Sequence, residues 1–255
     1  MVNEGEALSF ASNEWRSRTA TGAVEFLAAQ RRRTVDDDQE LVDSLDVAPG
    51  HVVVDIGCGT GEMVHRLLQT CPTATVIGFD IMRELLTKGR DRSPTAGYVC
   101  ARAEHLPIGP RSVDRVLIQR LLMHLPQWRK VIAEAARVLR PDGILVISEP
   151  TWSRFEFVSG SPELDAKLVA HMQQGVAVPD IGERLCEALQ SENLTVTTRT
   201  WVASKRQIDV MRYGRLAVQL ADEVPLHRLD RWMEGWPAPG SHTVSHVRKI
   251  VATTE

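Results

Sequence analysis

The sequence predicts an α/β fold: a mostly parallel sheet with helices on both faces. Two observations carry this. A β-branched run, Val52-Val53-Val54-Asp55-Ile56, passes through a glycine-spaced loop into a helical segment, Glu62–Gln69. Strand-like and helix-like segments then alternate as far as Ser148, the pattern of a doubly wound sheet. The length of 255 residues suits one such domain with insertions and is ample for a full core. A content of 43% hydrophobic and 25% charged residues is ordinary for a soluble globular chain.

The elements follow in order. Ala23–Ala29 is helix-like, and Asp38–Leu45 is an amphipathic helix ending before Pro49-Gly50. The Val52–Ile56 run reads as a strand covered on both faces, because buried parallel strands are nearly continuous in apolar β-branched residues. After helix Glu62–Gln69, Pro72 blocks continuation, and Ala74–Phe79 is the second strand. Arg83–Arg90 is a helix, Tyr98–Ala101 a short third strand and Val113–Gln119 the fourth. Pro126 fits the first turn of a helix reaching Leu139. Pro141-Asp142-Gly143 is a strong turn, and Ile144–Ser148 is the fifth strand. Beyond it, Leu164–Gln174 reads as an added helix over the C-terminal edge of the sheet. Ile181–Gln190 and Thr195–Thr200 continue the alternation. Helices at Ile208–Leu220 and Leu226–Met233 precede a last strand, Thr243–Val251, and Trp236-Pro237-Ala238-Pro239-Gly240 is a loop.

The loop Gly57-Cys58-Gly59-Thr60-Gly61 defines the chemistry. Its glycines allow a sharp turn and close approach of backbone to a ligand. The helix behind it offers free N–H groups. A dinucleotide fingerprint, G-x-G-x-x-G, would place its third glycine at Glu62; here it comes one residue early. Asp55 precedes the loop, where it would repel a pyrophosphate. An acid suits a cationic ligand end and the loop amides suit a carboxylate. A zwitterionic amino acid joined to a nucleoside meets both demands, which describes S-adenosylmethionine (SAM), with S-adenosylhomocysteine as its product form.

The loop closely resembles motif I of the class I SAM-dependent methyltransferases. The resemblance extends over Thr75-Val76-Ile77-Gly78-Phe79-Asp80, Ala103-Glu104-His105-Leu106-Pro107, Val113-Asp114-Arg115-Val116-Leu117-Ile118 and Ala136–Pro150. It covers Val47 to about Pro150 and is looser afterwards, where Gly182-Glu183-Arg184-Leu185 and Glu192-Asn193-Leu194-Thr195 are similar to a helix and sixth strand of the small-molecule branch. It implies a Rossmann-like seven-stranded sheet whose last strand lies antiparallel between the fifth and sixth, with helical lid insertions. It also implies a single domain over 1–255: an N-terminal helical lid (1–48), a SAM-binding core (49–150) and a half bearing substrate-roof helices (151–255).

The candidate cofactor residues are Asp55, Gly57, Cys58, Gly59 and Gly61 at the methionine end and Asp80 on the ribose hydroxyls. Asp80 lies about 20 residues past the loop, where such an acid belongs. Ile81 and Met82 flank the adenine, Ala103 or Glu104 meets its amino edge, and Gln119, where the methyl is transferred, can hydrogen-bond the methionine end through its backbone. Arg120 can face an anionic acceptor. His124 is the best-placed general base, as histidine titrates near neutral pH, and Glu149 is a second candidate. Each has a plain structural alternative: packing for His124, capping for Glu149, a surface ion pair for Arg120. Trp152 can stack on an aromatic acceptor or belong to the core. Phe10 and Trp15 suit a lid, and Arg31-Arg32-Arg33 with Asp36-Asp37-Asp38 reads as an intrahelical charge patch. His242 and His246 fall on a strand, well separated, so no metal is expected.

A net charge of −3 gives no help in binding a phosphate backbone. No apolar run approaches a membrane span, and Met1 to Phe10 lacks a signal-peptide core. Four cysteines without a C-x-x-C pair read as reduced thiols in a cytoplasmic protein. Gln119-Arg120-Leu121-Leu122 replaces the Asp/Asn-Pro-Pro-aromatic set of nucleic-acid amino methyltransferases, and no Pro-Cys occurs. The expected function is methyl transfer to a small organic acceptor at O, N or C, in quinone or natural-product metabolism, without nucleic acid. Alternatives are a SAM-assisted reaction without methylation (cyclisation, hydroxylation or isomerisation), a nucleic-acid or protein methyltransferase, and a SAM-binding regulator. A homodimer is left open.

Overall fold

The computed structural model describes residues 35–174, 176–206, 227–228 and 242–254. The helix at 23–29, that at 208–220 and the loop at 236–240 lie outside them, as does all but His227 and Arg228 of the helix at 226–233.

The described helices are α1 (Val35–Ser44), α2 (Glu62–Thr70), α3 (Arg83–Arg92), α4 (Trp128–Val138), α5 (Pro162–Gln174) and α6 (Ile181–Ser191), with a single 3₁₀ turn at Leu122–His124. The strands are β1 (Val52–Ile56), β2 (Thr75–Asp80), β3 (Gly97–Cys100), β4 (Val113–Gln119), β5 (Leu139–Val158), β6 (Leu194–Arg206) and β7 (His242–Thr254). They form one seven-stranded sheet in the order β3-β2-β1-β4-β5-β7-β6. The first five pair in parallel, and β7 runs antiparallel to both β5 and β6, as expected. Strand order reverses at β1, which lies between β2 and β4. The carboxyl ends of strands at such a switch point open a crevice where α/β sheets bind ligands.

Strand alternation divides the core. On one face, Val54, Ile56, Val116, Ile118, Leu145 and Ile147 meet Val131, Ile132 and Ala135 of α4 and Ile181, Leu185 and Leu189 of α6. On the other, Val53, Val76, Leu117 and Val146 meet Met63, Val64 and Leu67 of α2 and Leu41, Val42 and Leu45 of α1. Burying those three α1 side chains contributes on the order of 5 kcal/mol. Arg115 fastens the end of that helix: its Nε donates to the Leu45 carbonyl at 2.6 Å and its Nη2 to that of Asp46 at 3.1 Å. Helix α1 is thus packed on the sheet. The charge patch expected at Asp36-Asp37-Asp38 is corrected at Asp38, which is 1% exposed and turned inward.

Strand β5 differs from the sequence reading in two ways. Pro141-Asp142-Gly143 lies within β5 as an irregularity: pairing jumps from Val113↔Leu139 to Arg115↔Ile144, and Asp142 takes a left-handed φ of 62°. The turn chemistry is present, yet the strand forms on both sides of it. Strand β5 also continues ten residues past Ser148 because β7 pairs with it, with a register shift between Thr151 and Glu156, out to Val158↔His242. A strand extends as far as a partner satisfies its backbone groups, which local pattern does not reveal.

Candidate functional site

The loop after β1 turns through three left-handed glycines, Gly57, Gly59 and Gly61, at φ 78°, 53° and 70°. Two also accept close neighbours. A Cβ on Gly57 would stand 2.9 Å from Leu121 Cδ1, and one on Gly61 would stand 2.5 Å from Tyr98 Oη. Of the loop amides expected to receive a ligand carboxylate, four are engaged within the protein. The N–H groups of Gly57 and Cys58 both donate to the Phe79 carbonyl, at 2.8 and 2.9 Å, and that of Gly61 donates to the Cys58 carbonyl. The Gly59 amide donates to Asp80 Oδ2 at 2.9 Å. The loop is braced from within. Among the described residues, the Thr60 N–H has no backbone acceptor, and the first turn of α2 follows, where a helix leaves its N–H groups unpaired. Cys58 is packed inward, and burial pushes its thiol up.

Asp55 is next to last in β1 and is 3% exposed. Among the described residues no hydrogen bond is made to its carboxylate. Burial first, then the charges of Asp80 and Asp38, push it up to about 7, with Arg120 acting in the opposite sense. A buried acid without a donor is costly, and an arriving cation relieves that cost. Asp80 ends β2. Its Oδ1 accepts from Met82 N at 2.9 Å, so its two oxygens tie the loop to the start of α3. Burial raises its pKa while these amides oppose the shift.

A cleft opens beside Asp80, lined by Gly57, Phe79, Asp80, Ile81, Ala101, Arg102, Ala103, Glu104, Leu121 and Leu125. It brings together Gly57, Asp80, Ile81, Ala103 and Glu104 of the expected residues; Met82 lies just before α3, outside this lining. Glu104 Oε1 lies 3.3 Å from Arg102 Nη2. The adjoining loop is anchored from α4, where Glu134 Oε1 accepts from Leu106 N at 2.6 Å and Arg137 Nη2 donates to the Ile108 carbonyl. The Arg137 guanidinium holds the Glu134 carboxyl below its ordinary value.

At the end of β4, Arg120 takes a φ of 53° and its N–H donates to the Ser148 carbonyl. Its charge acts on both Asp55 and Glu149. Glu149 is fully buried. Its Oε1 accepts from Leu121 N at 2.8 Å and Leu122 N at 2.7 Å, and its Oε2 from Met123 N at 3.4 Å. Burial pushes its carboxyl up to about 7, with these amides opposing. This geometry makes it the cap of the 3₁₀ turn, in place of the second base expected from sequence. His124 ends that turn, 4% exposed, and is not on the cleft wall. Trp152 is half-buried, with Nε1 3.0 Å from Met123 Sδ and its ring 5.2 Å from that of Phe155.

Sequence reading missed Asp38. Its Oδ1 accepts from Gln119 Nε2 at 2.7 Å. A signal existed: Asp38, Leu41, Val42 and Leu45 fall at i, i+3, i+4 and i+7, one helix face. The lining by Leu121 and Leu125 was also missed, for apolar residues after a strand carry no distinctive mark. Phe10, Trp15 and Arg31-Arg32-Arg33 lie outside the described residues. Among the described residues, no group of three or more His, Cys, Asp or Glu side chains is arranged to hold a metal, and no helix is long and apolar enough to cross a membrane.

A doubly wound sheet with a glycine loop and acids at the carboxyl ends of β1 and β2 places the protein in the Rossmann-like fold class. The family model of the methyltransferase domain matches residues 54–147. Methyltransferase GfsG of Streptomyces halstedii is 38% identical over 117 residues, 44% of this chain and 42% of its own length. Demethylmenaquinone methyltransferase of Renibacterium salmoninarum is 31% identical over 121 residues, 46% of this chain and 50% of its own. The chain thus spans about half the length of these curated relatives. The solved structure of a geranyl diphosphate methyltransferase with SAM superposes at a TM-score of 0.60 and 19% identity, covering 94% of this chain and 92% of that one. Over residues 54–147 the chain is thus similar to the methyltransferase domain family, and it shares the fold of solved methyltransferases. The residues present fit that family's cofactor: a buried acid with no donor among the described residues for its cationic end, a tight loop of left-handed glycines, and a carboxylate beside the cleft for its hydroxyls.

Proposed function

We propose that this protein transfers a methyl group from SAM to a small organic acceptor of the kind found in quinone or natural-product tailoring. The observation that carries the reading is Asp55, a buried carboxylate with no donor among the described residues, set at the strand switch point beside the glycine loop. Among the relatives, one is named for methylation of demethylmenaquinone, which supports a small-molecule acceptor.

When bound, SAM supplies an activated methyl on a sulfonium. This chain's residues then hold and orient. Asp55 receives the ammonium end, and Gly57, Gly59 and Gly61 let the backbone close on it. Asp80 accepts from the ribose hydroxyls, while Ile81, Ala103 and Leu125 enclose the base, with Glu104 at its edge. Glu149 sets the turn after β4 through three amides and thereby places Leu121 against the cofactor and His124 one turn on. Proximity and alignment supply most of the rate. His124 is the proposed base for an acceptor hydroxyl or carbon acid, and Arg120 the proposed partner of an anionic acceptor.

The test is incubation with methyl-tritiated SAM and a panel of quinols, phenols and hydroxylated lactones. The expected result is labelled small-molecule product in step with S-adenosylhomocysteine, with His124→Ala lowering kcat strongly at nearly unchanged SAM affinity. Labelled macromolecules, or substrate conversion without S-adenosylhomocysteine, would overturn the small-molecule methyltransferase reading. Wild-type turnover in His124→Ala removes the base.

A further inference from the structure

Asp38 occupies a place where a leucine would be unremarkable. It continues the buried stripe of Leu41, Val42 and Leu45 on α1 and is 1% exposed. Its Oδ1 is 2.7 Å from Gln119 Nε2. Parallel register places its partner beside the cofactor acid. Asp55 pairs with Leu117, so Asp55, Leu117 and Gln119 share the face on which α1 packs. A carboxylate on an apolar stripe is a costly choice for simple packing.

Hydrogen-bond chemistry gives it a role. A carboxylate accepts, so it selects the NH₂ end of the Gln119 amide, and the carbonyl oxygen becomes the acceptor at the opposite end. An ammonium group needs acceptors. Resting on the reading of the site as a SAM site, we propose that Asp38 is a positioning residue: it holds the Gln119 amide with its carbonyl oxygen as an acceptor for the α-ammonium group, beside Asp55. Without Asp38 the amide can turn over and present its NH₂ group to a cation. Asp55, buried and without a donor among the described residues, independently marks this spot as one that awaits a cation. Helix α1 is then part of the cofactor site, although it lies ahead of the glycine loop in sequence.

The experiment compares two ligands in calorimetry. S-Adenosylhomocysteine carries the amino-acid end; 5′-methylthioadenosine keeps the thioether nucleoside and lacks it. Asp38→Leu fits the apolar stripe and removes the acceptor; Asp38→Asn keeps one. Asp38→Leu, with a thermal midpoint at or above wild type, is expected to weaken S-adenosylhomocysteine about tenfold, the scale of one hydrogen bond to a charged group, and to leave 5′-methylthioadenosine unchanged. Asp38→Asn is expected to restore most of the loss. Equal weakening of both ligands, wild-type affinity in Asp38→Leu, or an Asn variant as weak as the Leu variant each overturns the positioning role. If the wild-type protein binds neither SAM nor S-adenosylhomocysteine, the site reading fails and the proposal with it.

Discussion

Cofactor affinity should depend on pH through Asp55. Its carboxyl is pushed up to about 7 by burial and by the charges of Asp80 and Asp38. Receiving an ammonium requires the ionised form. Lowering the pH therefore removes the partner before the ligand arrives. With half the sites ionised near pH 7, about one-tenth remain at pH 6 and about one-hundredth at pH 5, so affinity should fall about tenfold per unit, or about 1.4 kcal/mol. An α-amino group, with its pKa near 8, stays protonated throughout this window. The assay is calorimetry of S-adenosylhomocysteine from pH 5 to 7.5, in two buffers of different ionisation enthalpy. Near pH 6 binding should release close to one proton. Asp55→Asn should bind weakly with a flat profile. The same shift acts on stability in the unliganded protein. A carboxyl raised from 3.8 in the unfolded chain contributes stability that is full below about 4 and is lost as pH rises through about 7; Glu149, raised from 4.5 to about 7, acts in the same direction. A wild-type affinity that does not change between pH 5.5 and 7.5, or an Asn variant that keeps the slope, would refute the reasoning.

Two substitutions test the scaffold of the site. Glu149→Ala leaves the amides of Leu121, Leu122 and Met123 buried without their acceptor; at about 1–3 kcal/mol for each well-made bond lost, urea unfolding should show a loss of about 3 kcal/mol or more. Glu149→Gln retains one acceptor oxygen and should lose less, and equal stability of wild type and the Ala variant would deny the cap. Gly61→Ala forces a left-handed residue and sets a methyl against Tyr98 Oη. The conformational part alone costs about 1–2 kcal/mol. Both the thermal midpoint and S-adenosylhomocysteine affinity should drop, and a variant that melts and binds as wild type would show that the loop is not held by that contact.

Much of this architecture was written locally. Val52–Ile56 and Val113–Gln119 are β-branched or aliphatic runs of strand length, and both form where the pattern puts them. The strand–loop–helix at 52–69 and the acid at Asp80 follow from residues that answer to backbone geometry and ligand approach alone, so their spacing in the chain was enough. The β5–β7 pairing was less legible, because each strand's length depends on a partner about a hundred residues away. The roles of two carboxylates were less legible still. Asp38 reads as one of three adjacent acids on a wetted helix, and Glu149 as an acid after a strand. Only the packed molecule shows that the first turns inward to Gln119 and the second to the amides of 121–123. The periodicity of a helix or strand is a property of a few consecutive residues, and sequence by itself determined the sheet, the glycine loop and the cofactor class. Whether a charged group is buried, and what it then bonds, depends on neighbours from distant strands and helices, and that was decided by tertiary structure alone.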